Sequence, residues 1–252
     1  MLQKKEKIIS HLSLRESGLD GDNKKYLLKF LDVTKSQLFF AKGVILVEGI
    51  SEALLLPIFA EKLGYDLLKS GVEIVNIEGV AFEHFAKLFN SADDAKNLAS
   101  RCAIITDNDK NMETNEIPSR AKNAEGYIKA NLNVFLSDIT FEKELYDKNE
   151  DLIKNIYHKI HSQTTIDNVS DLIKKLESNK DKSELAHRLA VKLNDGNLSR
   201  LRRLQKQREK PNTKVEPDEA EEAYTNFSVP QYIKNALKWV IEGKVDVQQP
   251  VE

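Results

Sequence analysis

An α/β fold, with a parallel-sheet core flanked by helices and an added helical subdomain, is predicted by three features of this 252-residue sequence. First, four short runs rich in Val and Ile, "GVILVEG", "VEIVNIEG", "CAIITDND" and "NLNVFLSD", fall between residues 41 and 144. Second, helical patterns such as "SEALLLPIFAEKLG" and "AFEHFAKLFNSADDAKNLASR" separate the first three runs. That alternation is the sequence form of βαβ units whose sheet is buried on both faces. Third, the strand-like runs stop after about residue 143, and "LYDKNEDLIKNIYHKIHSQ", "DLIKKLESNK" and "KSELAHRLAVKLND" follow as consecutive helices.

Taken in order, residues 1–40 are charged and helix-favouring. Tyr26, Leu27, Phe30, Leu31, Leu38 and Phe39 recur at helical intervals, so a helical lead-in is expected, with an exposed apolar stripe that could seat a second copy of the chain or a missing domain. Residues 41–144 form the expected sheet core and residues 145–199 the helical subdomain. Residues 200–252 are expected to be a basic segment followed by a last helix, "VPQYIKNALKWVIEGK", which holds the only tryptophan, Trp239. The run Arg200 to Lys214 carries seven Lys or Arg against one Glu, and "KVEPDEAEEA" then reverses the sign, which suggests an exposed segment.

Composition excludes several classes. With 40% hydrophobic residues the chain can bury a real core. No apolar run approaches the roughly 18 residues that span a membrane, and "MLQKKEKIIS" has no apolar stretch after its lysines, so a cytoplasmic protein without a membrane partner is expected. Cys102, the single cysteine, reads as a small buried hydrophobe. A net charge of −2 argues neither for nor against a nucleic-acid partner.

The chemistry sits where strands end. Ligands of an open parallel sheet bind beyond the carboxyl ends of its strands. Glu48 ends the first run, Asp107 and Asp109 end the third, and "SDITFEKEL" after the fourth offers Asp138, Glu142 and Glu144. Glu52, four residues beyond Glu48, falls in the first turn of the next helix, on the same side. Two unit charges about 4 Å apart cost roughly 4 kcal/mol at an effective dielectric near 20. Either protons or hard dications must offset such a group, and oxygen donors suit the latter. Glu48, Glu52, Asp107, Asp109 and Glu142, fully ionised, carry a charge that two Mg²⁺ or Mn²⁺ ions and one lysine would cancel, the arrangement of two-metal phosphoryl transfer. Asp20 and Asp22 have the same D-x-D spacing without a preceding strand and read as a solvated turn. Glu78 repeats the strand–Glu–Gly form but has no second acid at helical spacing, so it is set aside.

"VILVEGISEALLLP", then "AIITDND", then "TFEKEL" resemble the Toprim domain of topoisomerases, primases and related nucleases, and most closely the C-terminal region of the overcoming-lysogenization-defect (OLD) family endonucleases, over about residues 25–195. The Toprim glutamate falls on Glu48 and the Asp-x-Asp on Asp107 and Asp109. The resemblance places the family's second helix acid on Glu52, its later glutamate on Glu142, and its late-helix lysine on Lys182, with Lys180 and Lys192 as alternatives. It implies a metal-dependent DNA endonuclease, with Glu48 and Lys182 catalytic and the five acids as metal ligands. It also implies an ATPase domain or subunit as partner. No G-x-x-x-x-G-K-[ST] phosphate loop occurs in the sequence, so no ATP site is expected here. A homodimer is compatible with the resemblance.

Other candidates read more simply. Ser137 and Thr140 could reach the site or cap a helix, and capping is the commoner role. His158 and His161 read as a surface pair, and His84 and His187 as structural. The basic run from Arg200 to Lys214 fits a DNA backbone or a solvated helix end equally well. Two rival functions stay open on the sequence: a haloacid-dehalogenase-like phosphotransferase with Asp107 as nucleophile, and a non-catalytic module that docks an ATPase.

Overall fold

The computed structural model describes residues 2–5, 8–11, 20–21, 24, 27, 35–78, 82–91, 93, 96–111, 114–176, 178–211 and 214–244. Its centre is a four-stranded parallel sheet with strand order β4-β3-β5-β6, formed by β3 (Gly43–Val47), β4 (Val72–Asn76), β5 (Arg101–Thr106) and β6 (Leu132–Leu136). These strands are the four aliphatic runs. In β3 all five residues are buried, because side chains of alternate parity meet two different layers. Ile45, Val47, Ala103 and Ile105 join one core cluster and Val44, Leu46, Cys102 and Ile104 the other. Cys102 is fully buried, and burial pushes its thiol well above the ordinary range, which leaves it the inert hydrophobe its context predicts.

Helix α1 (Ile50–Lys62) leads out of β3, and a short helix α2 (Leu67–Ser70) turns the chain into β4. Gly71 ends α2 at φ 67°, a left-handed cap that favours glycine. A single helical turn, α3 (Glu83–Ala86), lies between β4 and β5, and α4 (Ser119–Glu125) between β5 and β6. Then come α5 (Phe141–Lys148), α6 (Glu150–Ile160), α7 (Val169–Lys175), α8 (Asn179–Glu209), α9 (Glu219–Asn226) and α10 (Gln231–Glu242). Side-chain caps start four of these: Thr140, Asn168, Ser178 and Asp218 each accept a hydrogen bond from the backbone N–H three residues on.

α10 returns to the sheet, where Trp239 packs on Phe135 with ring centroids 6.2 Å apart. At its carboxyl end the Arg101 guanidinium donates to the Val240 and Ile241 carbonyls at 3.0 and 2.8 Å. A Cβ at Gly43 would stand 2.8 Å from a Val240 methyl. The end of α10 therefore abuts the starts of β3 and β5. α9 crosses α8 at Gly196, where a Cβ would fall 2.3 Å from the Ala220 carbonyl oxygen.

Three expectations are corrected. Leu2–Lys5 (β1) and Ile8–His11 (β2) pair as an antiparallel hairpin, not as part of a helical lead-in; the β-branched pair Ile8 and Ile9 favours a strand over a helix. Leu27, Leu38 and Phe39 are buried rather than part of an exposed stripe, because they pack under the sheet with Val44 and Ile77; Tyr26, Phe30 and Leu31 lie outside the described residues. The boundary expected at residue 200 falls inside α8, which continues unbroken to Glu209. Arg203 on that helix binds both oxygens of buried Glu221 at 2.8 Å, a bidentate pair that ties the basic stretch to α9.

Candidate metal and phosphate site

From β3 the chain passes one way to β4, and β5 and β6 lie on the other side, so the strand order reverses between β3 and β5. Loops leaving two such strands diverge to opposite faces and open a crevice. Glu48 follows β3 and Asp107 follows β5, which puts one carboxylate on each lip. A cavity of about 460 Å³ lies there, lined by Glu48, Gly49, Ile50, Ser51, Glu52, Asn76, Glu78, Asp107, Asp109, Glu142 and Lys182. The structure thus brings together all five acids and the lysine that the sequence singled out. Asp138 and Glu144 are not in the wall; the Glu144 carboxylate accepts from the Asp138 backbone N–H at 3.1 Å. Lys180 is exposed, and Lys192 faces Glu219 at 3.5 Å along a separate groove.

Each acid is positioned by its element. Thr106, the last residue of β5, donates its hydroxyl to Glu48 Oε2 at 3.0 Å. Asp107 Oδ1 accepts from Ser137 Oγ at 3.0 Å and from the Phe141 backbone N–H at 2.8 Å. That N–H is in the first turn of α5, where four amides lack helical partners and the dipole favours an anion. Ser137 thus serves the site while Thr140 caps α5. Glu142, second in α5, and Glu52, third in α1, are both 7% exposed. A Cβ at Gly49 would lie 3.0 Å from Glu52 Oε2, so the glycine leaves room for that carboxylate to fold back over the turn.

The crowding has an electrostatic signature. Burial, then the charges of Glu142 and Glu48, push the Glu52 carboxyl up to about 7 against a partial offset from its own backbone N–H and Lys182. Burial, then Glu142 and Glu52, raise Asp107 well above the usual range. Lys182, carried by the first turn of α8, lies 3.4 Å from Glu142 Oε2. Burial alone would lower its ammonium, but Glu142, Asp107 and Glu52 together outweigh that and raise it. A group that takes up protons at its acids and holds a lysine charged is a site short of positive charge.

Glu78, set aside by the sequence reading, and Asn76, which that reading did not weigh, also stand in the wall. Asn76 Oδ1 accepts from the Glu78 backbone N–H at 2.9 Å. Glu78 and Asp109 adopt φ values of 56° and 50°, left-handed conformations that cost a side-chain-bearing residue on the order of 1 kcal/mol. The strand–Glu–Gly repeat at Glu78 was the available signal; helical spacing was the wrong filter, because here β4 and β3 run side by side and bring Glu78 near Glu48. Asp20 is exposed, but it stands at the start of helical residues rather than in a turn, its carbonyl accepting from the Lys24 backbone N–H at 3.0 Å; Asp22 is outside the described residues. His158 is exposed and His161 packs on the Tyr157 ring at 4.6 Å.

The donors are all oxygen and come from separate elements, which fits a hard dication. Among the described residues, no group of three or more His, Cys, Asp or Glu stands in the geometry of a formed metal centre; the acids ring the cavity without closing on one point. Two buried polar atoms, Asn108 Oδ1 between the paired aspartates and the Tyr232 hydroxyl on α10, have no hydrogen-bond partner. The charges of Asp107 and Glu52, after burial, raise the Tyr232 phenol well above its usual range.

Residues 39–109 match the family model described as "Overcoming lysogenization defect protein-like, TOPRIM domain". The motifs "VILVEGISEALLLP" and "AIITDND" lie within that match, whereas Glu142 and Lys182 lie beyond it. Among solved structures, the C-terminal region of the Burkholderia pseudomallei OLD protein is 19% identical with a TM-score of 0.52, over 81% of this chain and 98% of that one. The corresponding region of the Xanthomonas campestris pv. campestris OLD protein is 21% identical with a TM-score of 0.51, over 81% and 97%. At these identities the likeness is one of fold. Comparison with curated protein sequences gave no match. Among the described residues no helix is long and apolar enough to cross a membrane.

Proposed function

We propose that this chain, with an OLD-like Toprim domain at residues 39–109, is a metal-dependent DNA endonuclease that hydrolyses phosphodiester bonds at the cavity between β3 and β5. The observation that carries this is the meeting of Glu48, Glu52, Asp107, Asp109, Glu142 and Lys182 around one cavity at the strand-order reversal. Ionised, these five carboxylates and one ammonium leave a formal charge of −4, which two divalent ions offset; Glu78 adds a sixth carboxylate to the wall. Bound there, Mg²⁺ or Mn²⁺ would supply Lewis acidity to the attacking and departing oxygens of a phosphodiester.

The protein's own part is orientation and charge. Ser137 and the Phe141 amide hold Asp107 Oδ1, so Oδ2 is the oxygen turned over to a ligand. Thr106 fixes one oxygen of Glu48. Lys182, partly buried and kept protonated by the surrounding acids, offers a fixed cation to the charge that develops on phosphate oxygens. A phosphotransferase that uses Asp107 as nucleophile is poorly served by this geometry. Asp107 Oδ1 is already held by two donors, the Ser137 hydroxyl and the Phe141 amide, which draw electron density from an attacking carboxylate. The relatives of this fold suggest an ATPase as partner, on a separate domain or subunit.

The test is nicking of supercoiled plasmid with Mn²⁺ or Mg²⁺, comparing the parent protein with Asp107→Ala. Metal-dependent nicking that the substitution abolishes is the expected result. A folded protein that binds Mn²⁺ by calorimetry yet nicks under no metal condition would overturn the proposal.

A further inference from the structure

The geometry points to the distal half of α8 as a second contact for nucleic acid, a rail for the phosphate backbone of duplex DNA well away from the cavity. This extends the endonuclease reading and takes DNA as the substrate from it. α8 runs 31 residues from Asn179 to Glu209, roughly 46 Å at 1.5 Å per residue. Its first turn places Lys182 in the cavity wall. Its last turns carry Arg200, Arg202, Lys206 and Arg208, and Lys210 follows as the C-cap; all five are exposed.

The neighbouring cations are already used. Arg203 is committed to Glu221, and Lys214 pairs with Glu216. Among the described residues no ion pair engages Arg200, Arg202, Lys206, Arg208 or Lys210. Glu209 is the one acid interleaved with them, and it accepts from the Gln205 amide at 3.0 Å. A helix end with several uncommitted cations also complements the negative end of its own dipole. That preference accounts for cations in the last turn, but Arg200 and Arg202 lie two turns earlier, beyond its reach.

Charge and distance select the occupant. Exposed Arg and Lys bind phosphodiesters through counterion release, without needing a shaped pocket, and the long single helix holds them rigidly relative to Lys182. From Lys182 the cations begin at Arg200, roughly 27 Å along the axis, and reach roughly 39 Å at Arg208. Duplex DNA rises about 3.4 Å per base pair, so the axial span from Lys182 to these cations corresponds to roughly 8 to 11 base pairs. Because the cavity is acidic, it repels DNA in metal-free protein, so binding in EDTA reads the surface cations.

The experiment is fluorescence anisotropy of a labelled 30-base-pair duplex with full-length protein in EDTA, titrated with KCl, for the parent and for the combined Arg202→Gln, Lys206→Gln and Arg208→Gln variant. Circular dichroism melts verify that the variant is folded. The parent is expected to bind with a steep salt dependence. The variant is expected to lose about 2 to 3 from the slope of log K against log salt, near 0.9 per phosphate contact, and at least tenfold in affinity at low salt. Equal slopes for parent and variant, or a parent that does not bind DNA in EDTA, would overturn the inference. So would equal affinity for poly-glutamate, which would assign the patch to acidic protein surfaces. Plasmid nicking with Mn²⁺ is read separately, so loss of the rail and loss of the endonuclease reading are distinguishable.

Discussion

Replacing Glu52 with Gln should stabilise the metal-free protein at alkaline pH and weaken its hold on divalent ions. The folded state raises the Glu52 carboxyl from 4.5 to about 7, and every tenfold gain in proton affinity corresponds to roughly 1.4 kcal/mol. The fold therefore retains a proton that the unfolded chain has released, and stability falls as pH rises from about 4.5 to about 7. Above that window the full penalty of about 3 kcal/mol is present; below it there is none. Glutamine keeps the shape of the protonated acid and cannot ionise. In EDTA the variant and parent should melt together near pH 4.5, and the variant should melt higher at pH 8. With 1 kcal/mol corresponding to roughly 2–4 °C for a chain of this size, the pH-dependent part of the difference reaches roughly 6–12 °C. Calorimetric melts at the two pH values measure it. Adding Mn²⁺ at pH 8 should close the gap by stabilising the parent preferentially, since a ligand of the folded state adds stability by mass action. A difference in melting temperature that is the same at both pH values would refute the reasoning, because it would mean the carboxylate's charge is not what the fold resists.

Three further outcomes follow from particular contacts. Ser137→Ala removes the hydroxyl that holds Asp107 Oδ1; it should cost about 0.5–1.5 kcal/mol of stability and, as loss of a partner that orients a ligand, lower Mn²⁺ affinity roughly 10- to 100-fold by calorimetry. Arg203→Ala leaves Glu221, 2% exposed, without its bidentate partner; urea unfolding should show a lower midpoint, a loss most of which Arg203→Met with Glu221→Leu recovers. Gly196→Ala drives a methyl against the Ala220 carbonyl oxygen; it should destabilise by roughly 1–3 kcal/mol despite the better helix propensity of alanine, read from the same unfolding curves.

The sheet was legible because its two central strands are nearly all aliphatic and each ends on a polar turn. "GVILV" and "CAIIT" cannot be surface helices, and the acids after them mark the carboxyl edge. Glu52 and Glu142 were legible from spacing and resemblance, since both fall in the first turn of a helix that leaves the sheet. Glu78 was not, because its place depends on which strand neighbours β3. Strand order is a long-range property that local pattern does not encode. The continuity of α8 was obscured for a related reason. A run of like charges reads as a solvated tail until a buried partner such as Glu221 is known, and that partner lies 18 positions away. The hairpin of Leu2–Lys5 with Ile8–His11 was hidden by the abundance of lysine, which is common in helices and says little about a short strand pair.

The packing of the sheet beneath the acids explains why the cavity can hold so much negative charge. The strands under Glu48 and Asp107 are fully packed on both faces, and α10 is fastened to their far end by Arg101 and the close approach of Val240 to Gly43. Repulsion among the carboxylates therefore cannot relax by splaying β3 from β5 without breaking that core, so it adds to the larger effect of burial in raising the proton affinity of Glu52 and Asp107. A softer scaffold would let the acids separate and titrate normally, and would gain less on binding a dication. The left-handed conformations of Glu78 and Asp109 belong to the same logic: their local cost falls at the rim of the cavity, where a ligand can offset it, and not in the sheet beneath.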